Sequence, residues 1–173
     1  TVTTSNDSPL GRAEVSFPTL QGITVRAAIW RARKPGGKRP LLFFNGIGAN
    51  MELAAPLGEL MDDRDVITFD APGVGESPPP TLPYRPWQLA RFARALLDDY
   101  GVDDLDVMGV SWGGGLAQQF AFQYRNRVGR VILCATSTGV TMVPGQIMSI
   151  SKMRDPKRYT DPNYMRDNFE ALY

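Results

Sequence analysis

The chain has 173 residues, about the size of one ordinary domain, with 43% hydrophobic and 21% charged residues. Lys and Arg number 19 against 18 Asp and Glu, and a formal net charge of +1 argues against nucleic acid or an anionic membrane as the main partner. One cysteine, Cys134, and no histidine exclude an internal disulfide framework and a Cys/His metal cluster.

Residues 1–12 are largely polar and read as a flexible arm without the apolar core of a signal peptide. AEVSFPTL (13–20) and ITVRAAIWRAR (23–33) are β-rich runs on either side of Gln21 and Gly22, which predicts a hairpin. PGGKRP (35–40) is a loop, and LLFFNG (41–46) is a continuous apolar run that suits a strand buried on both faces. Over 51–62, Met51, Leu53, Ala54, Leu57, Leu60 and Met61 form a helical stripe. DVITFD (65–70) is a second buried strand, followed by turn and loop through residue 86. WQLARFARALLDDY (87–100) predicts an amphipathic helix with Leu89, Phe92, Ala93, Leu96 and Leu97 inward and Gly101 closing it. LDVMGV (105–110) and RVILCAT (130–136) read as third and fourth buried strands around a helix over 112–124. Alternating strand and helix predict an α/β domain with a mainly parallel, doubly wound sheet and the leading hairpin at its antiparallel edge. Trp30, Trp87 and Cys134 read as packing residues. No apolar run approaches the roughly 20 residues that span a bilayer. A reducing compartment such as the cytoplasm fits the single cysteine.

The chemistry-bearing segment is VMGVSWGGGL (107–116). Ser111 stands between Gly109 and Gly113 in a G-x-S-x-G pattern, directly after a buried strand and directly before a helix. That context predicts a sharp turn that lifts the serine hydroxyl above the sheet as a nucleophile. Gly109 and Gly113 are small where backbones approach, and the helix starting at Trp112 aims N–H groups at developing negative charge. NGIGAN (45–50) follows the first buried strand, where such a fold supplies the other half of an oxyanion hole. The backbone N–H groups of Ile47 and Trp112 are the assigned donors, with Gly46 and Gly48 turning the loop inward. The plain alternatives are a small serine at a tight junction and a simple turn at 45–50. GVGES (73–77) lacks the Gly-Lys-Ser/Thr ending of a phosphate loop, so no nucleotide or other cofactor is expected. Asp70 and Ser77 read as stabilisers of the turn after their strand.

FNGIGANMEL, FDAPGVGES, GVSWGGGLAQQFAFQY and ATSTGVTMVPG together resemble the α/β-hydrolase superfamily, and more narrowly the intracellular depolymerases of poly(3-hydroxyalkanoate). The resemblance runs from about residue 20 to the end. It implies a Ser-His-Asp ester hydrolase working through an acyl-enzyme, with Ser111 as nucleophile, an ester or polyester substrate, and association with storage granules. Dehalogenases and most epoxide hydrolases of this fold carry aspartate where this chain has Ser111. In this superfamily the acid and the histidine follow the serine, beyond a helical cap. The resemblance places 13–138 in the N-terminal part of the hydrolase core and 139–173 at the start of the cap. Neither acid nor base is then expected within this sequence, which reads as the N-terminal part of a longer chain and as nearly inactive alone. Asp155, Asp161 and Asp167 fall in the cap region and are not assigned as the acid. Two alternatives remain: a small-ester esterase or perhydrolase of the same fold, and a non-catalytic module that binds acyl groups or granules.

Overall fold

In the computed structural model the four apolar runs become the parallel strands of one sheet. The structure describes residues 9–34, 36–138, 151, 152, 155, 157, 161 and 163–172. The strands are β1 (Glu14–Ser16), β2 (Thr19–Leu20), β3 (Ile23–Thr24), β4 (Ala27–Trp30), β5 (Leu41–Phe44), β6 (Val66–Phe69), β7 (Leu105–Val110) and β8 (Val128–Cys134). The helices are α1 (Ala55–Leu60), α2 (Pro86–Asp99), α3 (Trp112–Gln123), α4 (Tyr164–Asp167) and α5 (Phe169–Leu172). The main sheet runs β1-β4-β6-β5-β7-β8, parallel from β6 to β8, with β4 and β1 added antiparallel.

The expected hairpin forms as two short ladders. β1 pairs with β4 in the main sheet, whereas β2 and β3 make a separate pair around Gln21 (φ 55°) and Gly22 (φ 73°). Two successive left-handed residues are what a tight hairpin turn demands. Leu10 is fully buried, and its carbonyl accepts the Trp30 indole N–H at 3.1 Å. Arg12 donates to the Gly58 carbonyl at 2.7 Å. Residues 10–12 are therefore packed, not part of a free arm; residues 1–8 lie outside the described residues.

Alternate residues of the strands feed two cores. Ala27, Ile29, Leu42, Phe44, Ile67 and Phe69 face α2 and α3 on one side. Ala28, Trp30, Leu41, Phe43 and Val66 face Met51, Ala54 and Ala55 on the other. A strand buried on both faces has no polar side to show, which is why these runs lack alternation. α2 matches its expected face, with Leu89, Phe92, Ala93, Leu96 and Leu97 fully buried. Pro86 opens the helix, and the Gln88 side chain accepts the Arg85 N–H at 2.7 Å.

Two expectations need correction. The 51–62 stripe is not one helix but a 3₁₀ turn (Met51–Leu53) followed by α1, and Leu53 and Leu60 are 70% and 82% exposed. Pro56 is the reason: it lacks an N–H and is tolerated only in a helix's first turn, so α1 must begin beside it. β8 starts at Val128 and ends at Cys134, and it is not buried: Val131, Ile132 and Leu133 are about 40% exposed. Among the described residues β7 is its one strand partner. Cys134 is accordingly half-buried, with a free thiol.

The chain divides into compact units at Thr136/Ser137. The second unit carries α4 and α5, with Tyr164 buried and its hydroxyl donating to the Lys152 carbonyl at 3.0 Å. The segment MVPG (142–145) lies outside the described residues. No helix among the described residues is long and apolar enough to cross a membrane.

Candidate active site

The strand order reverses around β5, because the chain moves from β5 to β6 on one side and then to β7 on the other. Ligands of open α/β sheets collect beyond the carboxyl ends of the strands at such a reversal. The loops that leave β5 and β7 there are 45–50 and the turn at Ser111.

Ser111 has φ 53° and ψ −120°, a left-handed conformation that is costly for a residue with a Cβ. Its N–H donates to the Cys134 carbonyl of β8 at 2.9 Å, and its carbonyl accepts from Gly114 at 2.9 Å. The turn is therefore held from the neighbouring strand and from the first turn of α3. A Cβ on Gly109 would stand 2.2 Å from the Gly113 carbonyl oxygen. A Cβ on Gly113 would stand 2.2 Å from the Phe44 carbonyl oxygen, and one on Gly114 would meet Thr136 at 2.4 Å. These glycines let α3 start directly on β7 and against the end of β5, so the serine has no other path to take.

Loop 45–50 lies against this turn. The space for a Gly46 Cβ is 3.7 Å from the Ser111 Cβ. Gly48 has φ 71°, Ala49 N–H donates to the Gly46 carbonyl at 3.1 Å, and the Asn45 amide donates to the Asn50 carbonyl at 3.0 Å. Ile47 is half exposed. Gly46, Ile47, Gly48 and Trp112 all wall a cavity of about 340 Å³, completed by Phe44, Phe69, Val74, Tyr84 and Leu116. Ser111 is not itself a wall but stands between two of them, Gly46 and Trp112. Phe44 and Phe69 meet edge to face at 5.9 Å, and Phe69 meets Phe92 at 5.1 Å, so the floor of the cavity is continuous with the core. Most of its lining is apolar, so the cavity can take an apolar group.

Tyr84 and Val74 were not singled out by sequence reasoning. They sit in the Pro- and Gly-rich stretch after β6, whose composition signals a loop but not where it folds. Burial pushes the Tyr84 phenol above its usual value of 10. Asp70 and Ser77 do stabilise the turn: Ser77 Oγ donates to the Asp70 carbonyl at 2.8 Å and accepts the Arg26 N–H at 2.9 Å. In the second unit, Asp155 and Asp161 accept the backbone N–H groups of Lys157 and Asn163 at 2.9 Å, and Asp167 pairs with Arg166 at 3.2 Å.

A strained serine between parallel strand and helix, flanked by a glycine loop from the adjacent strand, is the signature site of one large class of enzymes. The sequence profile described as the alpha/beta hydrolase fold matches residues 39–171, and the chain belongs to that family. Within it, the chain is 47% identical over 149 residues to the poly(3-hydroxyalkanoate) depolymerase of Ectopseudomonas oleovorans, covering 84% of this chain and 51% of that protein. It is 35% identical over 122 residues to the dihydrolipoyllysine-residue acetyltransferase component of the acetoin cleaving system of Cupriavidus necator, covering 70% of this chain and 32% of that one. The crystal structure of a hydrolase from Pseudomonas aeruginosa superposes with a TM-score of 0.66 at 24% identity, over 90% of this chain and 61% of that one, which supports the fold. The chain spans about half the length of the depolymerase it matches.

Proposed function

We propose that this chain carries the nucleophile half of a serine ester hydrolase that depolymerises poly(3-hydroxyalkanoate). The observation that carries the reading is the left-handed Ser111 at the β7–α3 turn, pressed against Gly46 beside an apolar cavity. Support for the substrate comes from the likeness to the depolymerase.

In this reading Ser111 Oγ attacks the ester carbonyl carbon as its proton passes to a base. The carbonyl oxygen becomes an oxyanion held by the N–H groups of Ile47 and Trp112. The carbon–oxygen bond to the alcohol portion then breaks, the alkoxide leaves with the base's proton, and the acyl group stays on Ser111. Water repeats the sequence and releases the acid. Trp112 is the first residue of α3, so its N–H has no partner within the helix, and the helix dipole adds to its field. The acyl chain occupies the cavity between Phe44, Phe69 and Leu116. The sequence contains no histidine, so in this reading the histidine base is not among residues 1–173, and none of their carboxylates is assigned as its acid partner. The 173 residues alone turn over esters at a trace level. Granule association inside the cell follows from the same reading.

The test begins with the intact mass of the native product and continues with turnover of a 4-nitrophenyl alkanoate and of emulsified poly(3-hydroxyalkanoate). A product of the depolymerase's length, whose turnover falls at least about 10⁴-fold in Ser111→Ala, is the expected result. Turnover of the small ester alone would make the protein an esterase. A Ser111→Ala loss of less than tenfold would remove the nucleophile assignment. Binding to the polymer without any turnover would leave a granule-binding module.

A further inference from the structure

The loop that carries Ile47 has two ends of different kinds. Its first end leaves β5, which is hydrogen-bonded to strands on both sides. Its second end is Met51, and the N–H of Met51 donates to Oδ1 of Asp70 at 2.7 Å. Asp70 is fully buried, directly after β6. Its own backbone is fixed twice, by N–H donation to the Arg26 carbonyl at 2.9 Å and by the Ser77 hydroxyl on its carbonyl. Facing its carboxylate are the charges of Arg26 and Glu52 and the backbone N–H of Glu76. Arg26 Nη1 lies 3.7 Å from Asp70 Oδ2 and 2.7 Å from Glu52 Oε1, while Arg26 Nη2 lies 3.4 Å from Glu76. Glu52 follows Met51, so the same guanidinium ties the loop's end a second time. Gly75 (φ 54°) leaves room for the carboxylate, since a Cβ there would stand 2.3 Å from Oδ2.

Ile47 is half exposed and has little packing of its own to orient its amide. The direction of that N–H is set by how the loop is held: the Asn45 amide on the Asn50 carbonyl closes it from within, and the Asp70 carboxylate on the Met51 N–H anchors its second end to β6. A misplacement of about 1 Å in a catalytic group can cost on the order of 10² in rate. Resting on the assignment of Ile47 as an oxyanion donor, we propose that Asp70 is a positioning residue of the active site, which holds loop 45–50 in register with Ser111 by accepting the Met51 N–H.

The test compares Asp70→Ala, which removes the acceptor, with Asp70→Asn, which keeps one, in the native full-length product. Amide resonances of Met51 and Ile47 and their hydrogen exchange are the readouts. Asp70→Ala is expected to speed Met51 exchange at least tenfold and to shift the Ile47 amide, while Asp70→Asn leaves Met51 exchange within threefold of wild type. In wild type the Met51 amide should exchange at least tenfold more slowly than an unbonded amide, so the proposal stays decidable if Asp70→Ala does not fold. In a polypeptide that also supplies the base, Asp70→Ala should lower kcat ten- to a hundredfold with KM within twofold, and Asp70→Asn should restore most of it. An Ile47 amide unmoved in folded Asp70→Ala, or a wild-type Met51 amide that exchanges as fast as an unbonded one, would overturn the proposal and leave the Ser111 assignment standing. Ester turnover indifferent to Ser111→Ala would remove that assignment instead, and the amide readout would still report the tether.

Discussion

At the level of single residues, the glycines around Ser111 are separated by what a methyl group would meet. Gly113 has backbone carbonyl oxygens of Phe44 and Asn45 at 2.2 and 2.4 Å from its missing Cβ, and backbone cannot swing aside. Gly115, two residues further along α3, has nothing within 4 Å. Gly113→Ala is therefore expected to lose about 3 kcal/mol or more, whereas Gly115→Ala gains about 0.5–1 kcal/mol from lower unfolded-state entropy. Urea denaturation of both variants checks the pair, and equal shifts would refute the close-packed turn. Asp70 gives a second residue-scale expectation. Burial raises its carboxyl from 3.8 to about 6, against the hydrogen bond from Met51 and the charge of Arg26. Between those values the folded state holds the proton and the unfolded state does not. This group's contribution to stability is then full below about pH 3.8, lost as pH rises through 6, and flat above. The change is of order 2–3 kcal/mol, and Asp70→Asn should flatten that part of the stability–pH curve.

At the level of elements, the same apolar letters mean different things in α1 and α2. Leu96 in α2 is fully buried, and Leu60 at the end of α1 is 82% exposed. Leu96→Ala is expected to cost about 2–5 kcal/mol and Leu60→Ala less than about 0.5 kcal/mol, read from urea midpoints. A large Leu60 effect would restore the single-helix stripe that the spacing suggests. The pattern misleads here because Pro56 resets the helix and turns its later residues outward, a local steric effect that periodicity does not weigh. β5, β6 and β7 were legible because burial on both faces leaves largely apolar runs, broken by Thr68 in β6 and Asp106 in β7. α2 was legible because its one buried face repeats over almost four turns. The turn at Ser111 was legible because its glycines are forced by adjacency in the chain. The wall supplied by Tyr84 and the tether from Asp70 to Met51 were not, since each joins segments far apart in sequence, and no local pattern records where a loop lands.

At the scale of the whole molecule, β8 poses the remaining physical problem. An apolar run says that a strand wants burial, not that the burial is present, and this run was expected inside. Val131, Ile132 and Leu133 alternate faces along the strand, yet each is about 40% exposed, so both faces are partly wet. Among the described residues its outer edge has no strand partner. Apolar faces beside an open edge are what drives edge-to-edge association, and strand-edge lysines are a usual protection. β8 does carry Arg130, which lies 3.8 Å from Asp106, and this one charge does not reach the apolar triplet. The 173-residue chain is thus expected to self-associate at micromolar concentration, with sedimentation that rises with loading. Replacing Val131 and Ile132 by Lys puts a charge on each face of the strand and should return a species near 19.1 kDa without disturbing β7, whose own ladder to β5 is untouched. A wild-type chain that sediments as a monomer across the same range would mean that something in the protein already covers β8. The two lysines should then lower stability sharply instead of improving behaviour, because they would be forced into that contact.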